Sequence, residues 1–373
     1  MPGWKLRNMV ALPTNKLEAW RYTDLAPLST LSFAQAPQAT APALPALDMP
    51  RLVFVNGVFA GGLSSSLDFA APFAAGAEDS ALPLALLNAG LARDGVVLNV
   101  PDGVDAGTIL LFAQATATEP FAAHLRHRVT LGQGARLTII DIAKGDGVYW
   151  HNPVTDIALA PGAQLAHYRL QDESREAFNT ATIKAEIAAG AVYEHFTATI
   201  GARLSRTEIH ATLRGEQASA QLSAAQLLTG EQHGDFTSVV AHKAPNCPSR
   251  QTVKSVLSGL ARGVFQGRIE VDRIAQKTDG YQMSRALLLS PHAEMDIKPE
   301  LQIYADDVKC SHGATIGTLD ENQLFYLRSR GIPEDEARAL LIRAFLDEAL
   351  EPVRQEDAKE LLEAAIETWW TRQ

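Results

Sequence analysis

From Val96 to Gly317 the apolar residues come in short runs separated by Gly, Asp and Asn turns, and long helical periods are scarce. Runs such as VVLNVP, GTILLFAQATA, RVTLGQGARLTIIDIA and DIALAPGAQLAHYRL read as strands. Within them one phrase recurs as LGQGARL, LAPGAQL and IAAGAVY, with Gly-Ala pairs beginning at Gly134, Gly162 and Gly190, 28 residues apart each time. A softer echo, LRGEQASAQL, carries Gly215. A fixed period of this length marks one supersecondary unit stacked many times. If each unit is several short strands joined by tight turns, stacking gives a parallel β-helix with an apolar interior. A β-sandwich would use similar turns but has no reason to keep a 28-residue period. The pattern therefore predicts an all-β core, a parallel β-helix over residues 96–317.

The flanks read differently. In residues 1–95, NKLEAWRYTDL (Asn15 to Leu25) predicts a short helix and APQATAPALPALDMP (Ala36 to Pro50) a linker. RLVFVNGVFAGGL predicts a hairpin at Asn56-Gly57, and SALPLALLNAGLARDG a helix ending at Gly95. Residues 318–373 predict three helices. Asp320 caps the first, Gly331 ends it, and Pro333 opens the second at its first helical position. The second carries an apolar face of Ala337, Leu340, Leu341, Ala344 and Phe345, and the third one of Leu361, Leu362, Ala365, Ile366 and Trp369. Since a solenoid exposes strand edges at its ends, these helices read as an end cap, with a partner-docking surface as the alternative.

Composition narrows the function. The 373 residues are 46% hydrophobic and 20% charged, with a formal net charge of -10. With no long basic run, this argues against a nucleic-acid binder, which must neutralise phosphates. Two cysteines make no disulfide framework. The start lacks the charged-then-apolar signature of a signal peptide, and no apolar run reaches the roughly 18 residues of a membrane span. The expectation is a cytoplasmic protein.

The candidate chemistry lies in VKCSHGATIG, Val308 to Gly317. On a strand, Cys310 and His312 project from the same face and aim two metal-competent donors at one place. Alone they are incomplete: a stable iron–sulfur or zinc site takes four ligands, and the other cysteine, Cys247, sits in the distant turn-like APNCPSR. Two readings stay open, a packed structural pair or part of a site finished by another chain. The other nine histidines show no metal spacing and read as surface or hydrogen-bonded residues. Asp306 and Asp307 would point to opposite faces of a strand, which argues against the carboxylate dyad of a β-helix carbohydrate enzyme. GLARGVFQG lacks the strand-to-helix context of a phosphate loop. Nothing reads as a self-sufficient catalyst.

The segments ARGVFQGRIEV, AQKTDGYQMSRALLLSPHAEMDIKPELQIYADDVKCSHGATIG and LFYLRSRGI together resemble the SufB/SufD family of iron–sulfur cluster assembly scaffolds, most strongly over Gly259 to Phe345. LPTNKLEAWRYTDL is similar to the amino-terminal motif of the SufD branch, and RAFLDE also looks SufD-like. Where the SufB pattern carries His-Glu-Ala-Thr, this chain has Gly313 at the glutamate position, so no catalytic glutamate carries over. The resemblance implies a right-handed parallel β-helix with helical terminal regions. It also implies a non-catalytic scaffold in a complex of one SufB, one SufD and two SufC ATPase subunits. SufB would pair through the β-helix ends, and the C-terminal helices would dock SufC. Cys310 and His312 match SufD positions implicated in holding transient iron or cluster at the SufB interface. A flavin in the assembled complex is part of the same implication, with no nucleotide-binding motif here to support it. The alternatives are a carbohydrate-active β-helix enzyme and a homodimeric scaffold.

Overall fold

The structure, a computed structural model, describes residues 12–37, 42–74 and 80–371. The first eleven residues and part of the expected linker lie outside the described residues. The chain winds into a parallel β-solenoid whose coils each give one strand to a ten-stranded sheet and one to an eleven-stranded sheet. Among the described residues the only antiparallel pairings are at the amino-terminal end, Arg51–Val55 with Val58–Phe59 and Ala70–Pro72 with Asp94–Val100. The first is the hairpin expected at Asn56-Gly57, both of which adopt positive φ (51° and 79°). Arg51–Val55 also pairs in parallel with Asp105–Thr116, so the ten-stranded sheet takes in a strand from before Val96.

The repeat has a local cause. Gly134, Gly162 and Gly190 adopt φ of 67°, 71° and 64° at equivalent turns. Each donates its N–H to the carbonyl just before the next turn residue: Gly134 to Pro161, Gly162 to Ala189, and Gly190 to Glu216. The echo at Gly215 does not hold the equivalent place. Gln217 does, with φ of 61°, followed by Asn246 and Lys277. Gly215 serves close coil packing instead, because a Cβ there would lie 2.3 Å from the backbone nitrogen of Ala189. Later coils thus keep the left-handed turn without glycine, which erases the visible repeat.

The interior between the sheets is mostly aliphatic, with Leu137, Ile139, Leu165, Ile183, Ile209, Leu222 and Leu257 in one cluster. The ten-stranded sheet is apolar on its outer face as well: Ile140, Ile142, Leu170, Phe196 and Val256 pack against the C-terminal helices. The described α-helices are α1 (Ala26–Ser29), α2 (Pro83–Leu91), α3 (Glu321–Ser329), α4 (Glu334–Leu350) and α5 (Glu356–Thr371). Asp320 caps α3 by accepting from the N–H groups of Asn322 and Gln323 at 2.8 and 3.2 Å. α4 and α5 lie along the sheet rather than over the solenoid end, which corrects the end-cap expectation. Lys254 and Arg285 on the sheet both hold Glu348 of α4. The buried side of α4 is Ala337, Ile342, Leu346, Ala349 and Leu350, while Leu340 and Ala344 face out. Pro333 is its N-cap rather than its first residue.

Two amino-terminal expectations also change. Asn15 to Leu25 holds only a 3-10 turn, Glu18–Trp20, because Trp20 is buried beneath the Arg206 guanidinium, 4.0 Å from the ring centre, and α1 follows it. The helix before Gly95 ends at Leu91, and Gly95 lies in the Asp94–Val100 strand. A Cβ there would fall 1.7 Å from the carbonyl oxygen of Arg126, so glycine admits the neighbouring strand. Among the described residues, no helix is long and apolar enough to cross a membrane.

Candidate functional site at the open end of the solenoid

The last coil ends in two unpaired edges, Glu294–Ile303 in the eleven-stranded sheet and Lys309–Gly317 in the ten-stranded sheet. Cys310 and His312 lie on the second edge, as the sequence predicts. Their register partners are Gly280 and Gln282. Because paired residues of parallel strands point the same way, both side chains continue columns that face the interior. Cys310 is half-buried and packs beside Ile269, Val271 and Ala275. His312 is exposed at the mouth of the lumen and makes no hydrogen bond among the described residues. The preceding turn is held by a Lys277–Asp307 ion pair and by the Asp307 N–H donating to Gln276 at 2.9 Å.

Burial pushes the Cys310 thiol above its ordinary range, the Asp279 charge adds to this, and a backbone hydrogen bond from Gly280 opposes it. Before any metal arrives, Cys310 is therefore a protonated thiol. Cys247 is fully buried in the solenoid core, with its thiol donating to the carbonyls of Gly215 and Pro245 at 3.2 and 3.4 Å. The two cysteines are not one site. Among the described residues, no three His, Cys, Asp or Glu side chains gather into a metal-binding group.

The inward column that ends at His312 runs through the whole core as Ile139, His167, His195, Leu222, Gln251, Gln282 and His312. The histidines are largely hydrogen-bonded, as the sequence predicts, but more of them are interior than a surface reading implies. His124, His127, His151, His167, His195 and His242 are buried, several of them lining the lumen. The sequence carried a usable signal: His167 and His195 share the spacing of Gly162 and Gly190.

Some of these interior groups join a polar network around Asp141 and Glu173. Asp141 lies 3.2 Å from Arg169 and 3.6 Å from His167. Burial disfavours its charge, but those two partners outweigh it and hold its pKa down at about 2. Glu173 accepts from His151, Gln171 and Asn179, and stays ionised against its burial chiefly through His151. Burial drives His124 to about 3, and His127 and His242 to about 4, so these rings are neutral near pH 7.

Comparison with known proteins places this arrangement in a family. The profile described as "SUF system FeS cluster assembly, SufBD core domain" matches residues 112–345. The iron-sulfur cluster assembly protein SufD of Escherichia coli (strain K12) is 33% identical over 374 residues, covering 95% of this chain and 88% of that protein. An iron-sulfur cluster assembly SufBD family protein of Synechocystis is 31% identical over 386 residues, covering 93% of this chain and 85% of its own length. One from Mycobacterium tuberculosis is 32% identical over 220 residues, 59% of this chain and 26% of that protein.

Proposed function

The chain belongs to the SufBD family of SUF-system iron–sulfur cluster assembly proteins, and from that premise we propose that it is a SufD-like, non-catalytic scaffold subunit whose open solenoid end is half of a shared site. The observation that carries this reading is the placing of Cys310 and His312 on one inward face of an unpaired edge strand. An edge strand presents free backbone N–H and C=O groups to another chain, so pairing with SufB would bring a second set of side chains over the same mouth. Iron or a nascent cluster is the cargo. His312 offers an imidazole nitrogen, and Cys310 a sulfur that must release its proton on binding. Two donors suit a transient site, because release requires that no single chain saturate the metal.

The C-terminal helices are the proposed dock for SufC. A groove of about 230 Å³ lies between α4 and α5, lined by Leu340, Leu346, Ile366 and Trp370 and rimmed by Glu336, Asp347 and Glu367. On α3, Phe325 and Tyr326 stand out into solvent, Phe325 73% exposed. Glu348 ties α4 to Arg285, whose register partner is Thr315 of the edge strand. ATP-driven closure of two docked SufC subunits would therefore pull on the strand beside the site and open the SufB interface.

Solution mass of the chain with and without co-expressed SufB and SufC tests the partnership. The expected result is a mixed complex, with SufC capture lost in Leu340→Glu while SufB remains bound. A chain that stays self-paired or monomeric in the presence of both would overturn the reading.

A further inference from the structure

The mouth of the lumen contains a polar group that no internal contact explains. Gln282 is 0% exposed, and neither its Nε2 nor its Oε1 has a hydrogen-bond partner. It is the one side-chain amide among the described residues with both polar atoms buried and unpaired. On the facing sheet a Cβ on Gly267 would lie 2.4 Å from the Phe265 ring and 3.2 Å from the Gln282 Nε2, so glycine leaves room for both. Other interior amides are better served. Gln226 donates to the Val264 carbonyl and accepts from Ser255, and Gln251, one coil deeper, accepts from Ser238 at 2.5 Å although its Nε2 is unpaired. A buried amide with no partner opposes folding, so its presence calls for a use elsewhere.

Its register partner on the outer side of the column is His312, in the last coil. Metal-binding histidines usually donate their second ring N–H to a carbonyl or carboxylate, which fixes the tautomer and the ring orientation. We propose that Gln282 is a positioning residue for His312: its Oε1 accepts the imidazole N–H when a partner chain covers the mouth, leaving the other ring nitrogen for iron. This rests on the half-site reading and deepens it. The amide would then hold a partner in the assembled state that the isolated chain lacks.

Four measurements separate this from a structural role. Gln282→Leu removes the amide at similar volume, and the melting temperature of the isolated chain is expected to stay level or rise. In complex with SufB and SufC, the same variant is expected to bind ferrous iron about 10- to 100-fold more weakly. Gln282→Glu, which keeps the acceptor, should restore most of that loss. With His312→Ala in the background, Gln282→Leu should cost nothing further. A lowered melting temperature, or an equal loss of iron binding with His312 absent, would overturn the proposal. If instead His312→Ala leaves iron binding intact, the half-site reading itself fails, a result distinct from failure of Gln282 alone.

Discussion

His195 and His312 occupy the same inward column, in different coils, and meet opposite fates. The deep ring is 1% exposed, flanked by Tyr193 and Thr197 at 3.2 and 2.6 Å, and burial drives its pKa well below the ordinary value. The ring at the mouth is solvent-exposed and has no hydrogen-bond partner among the described residues. The same residue in the same register is structural where a further coil covers it and available where none does. The solenoid supplies the direction of the side chain, and the missing next coil supplies the opportunity for a partner.

The comparison can be broken most severely from the deep side. Ile139→Asp, in the same column, would place an unpaired carboxylate in the aliphatic core and is expected to prevent folding, read as loss of the β spectrum and of soluble protein. Next comes the polar network around Asp141. Arg169→Met leaves Asp141, whose side chain is 16% exposed, without its cation and should cost up to about 3 kcal/mol in denaturant unfolding, with part of the loss recovered by adding Asp141→Leu.

Acid should act in the same direction. His124, His127 and His242 bind protons in the unfolded chain below about pH 6.5 but resist protonation when folded until about pH 3–4. The unfolded state then holds more protons, so stability falls as pH drops through that window, by about 1.4 kcal/mol per unit for each ring. Unfolding midpoints at pH 7.5, 6.5 and 5.5 should show little change over the first step and a clear drop over the second. A flat profile would mean the rings are solvated rather than buried. At the small end, His312→Ala should change the stability of the isolated chain by less than about 0.5 kcal/mol, as expected of a surface position.

The parts legible in the sequence are those set by local backbone chemistry. Gly134, Gly162 and Gly190 showed the coil period because the left-handed turn favours glycine, and Asp320 marked a helix start because its carboxylate caps N–H groups. Once Gln217, Asn246 and Lys277 take over the turn, the period fades from view although the coil continues. The docking of α4 and α5 along the sheet also has a mark in the sequence. The run Leu137 to Ala143 is apolar at Ile139 and Ile140 alike, which implies a strand covered on both faces. Cys310 and His312 were found by alternation along one strand. Gln282 is not legible because its column neighbours are whole coils away in sequence and only the register joins them, whereas the burial of His167 and His195 follows from their sharing the 28-residue spacing of Gly162 and Gly190.

The most direct test is anaerobic incorporation of ferrous iron and sulfide into the purified complex of this chain with SufB and SufC, for the wild type, His312→Ala, Cys310→Ala and Cys247→Ala. Intact assembly is verified by mass in each case. The account predicts a large loss of cluster for His312→Ala, a smaller one for Cys310→Ala, and none for Cys247→Ala, whose thiol is enclosed in the core. Wild-type rates in both His312→Ala and Cys310→Ala within intact complexes would contradict it, leaving the pair as a structural feature of the last strand.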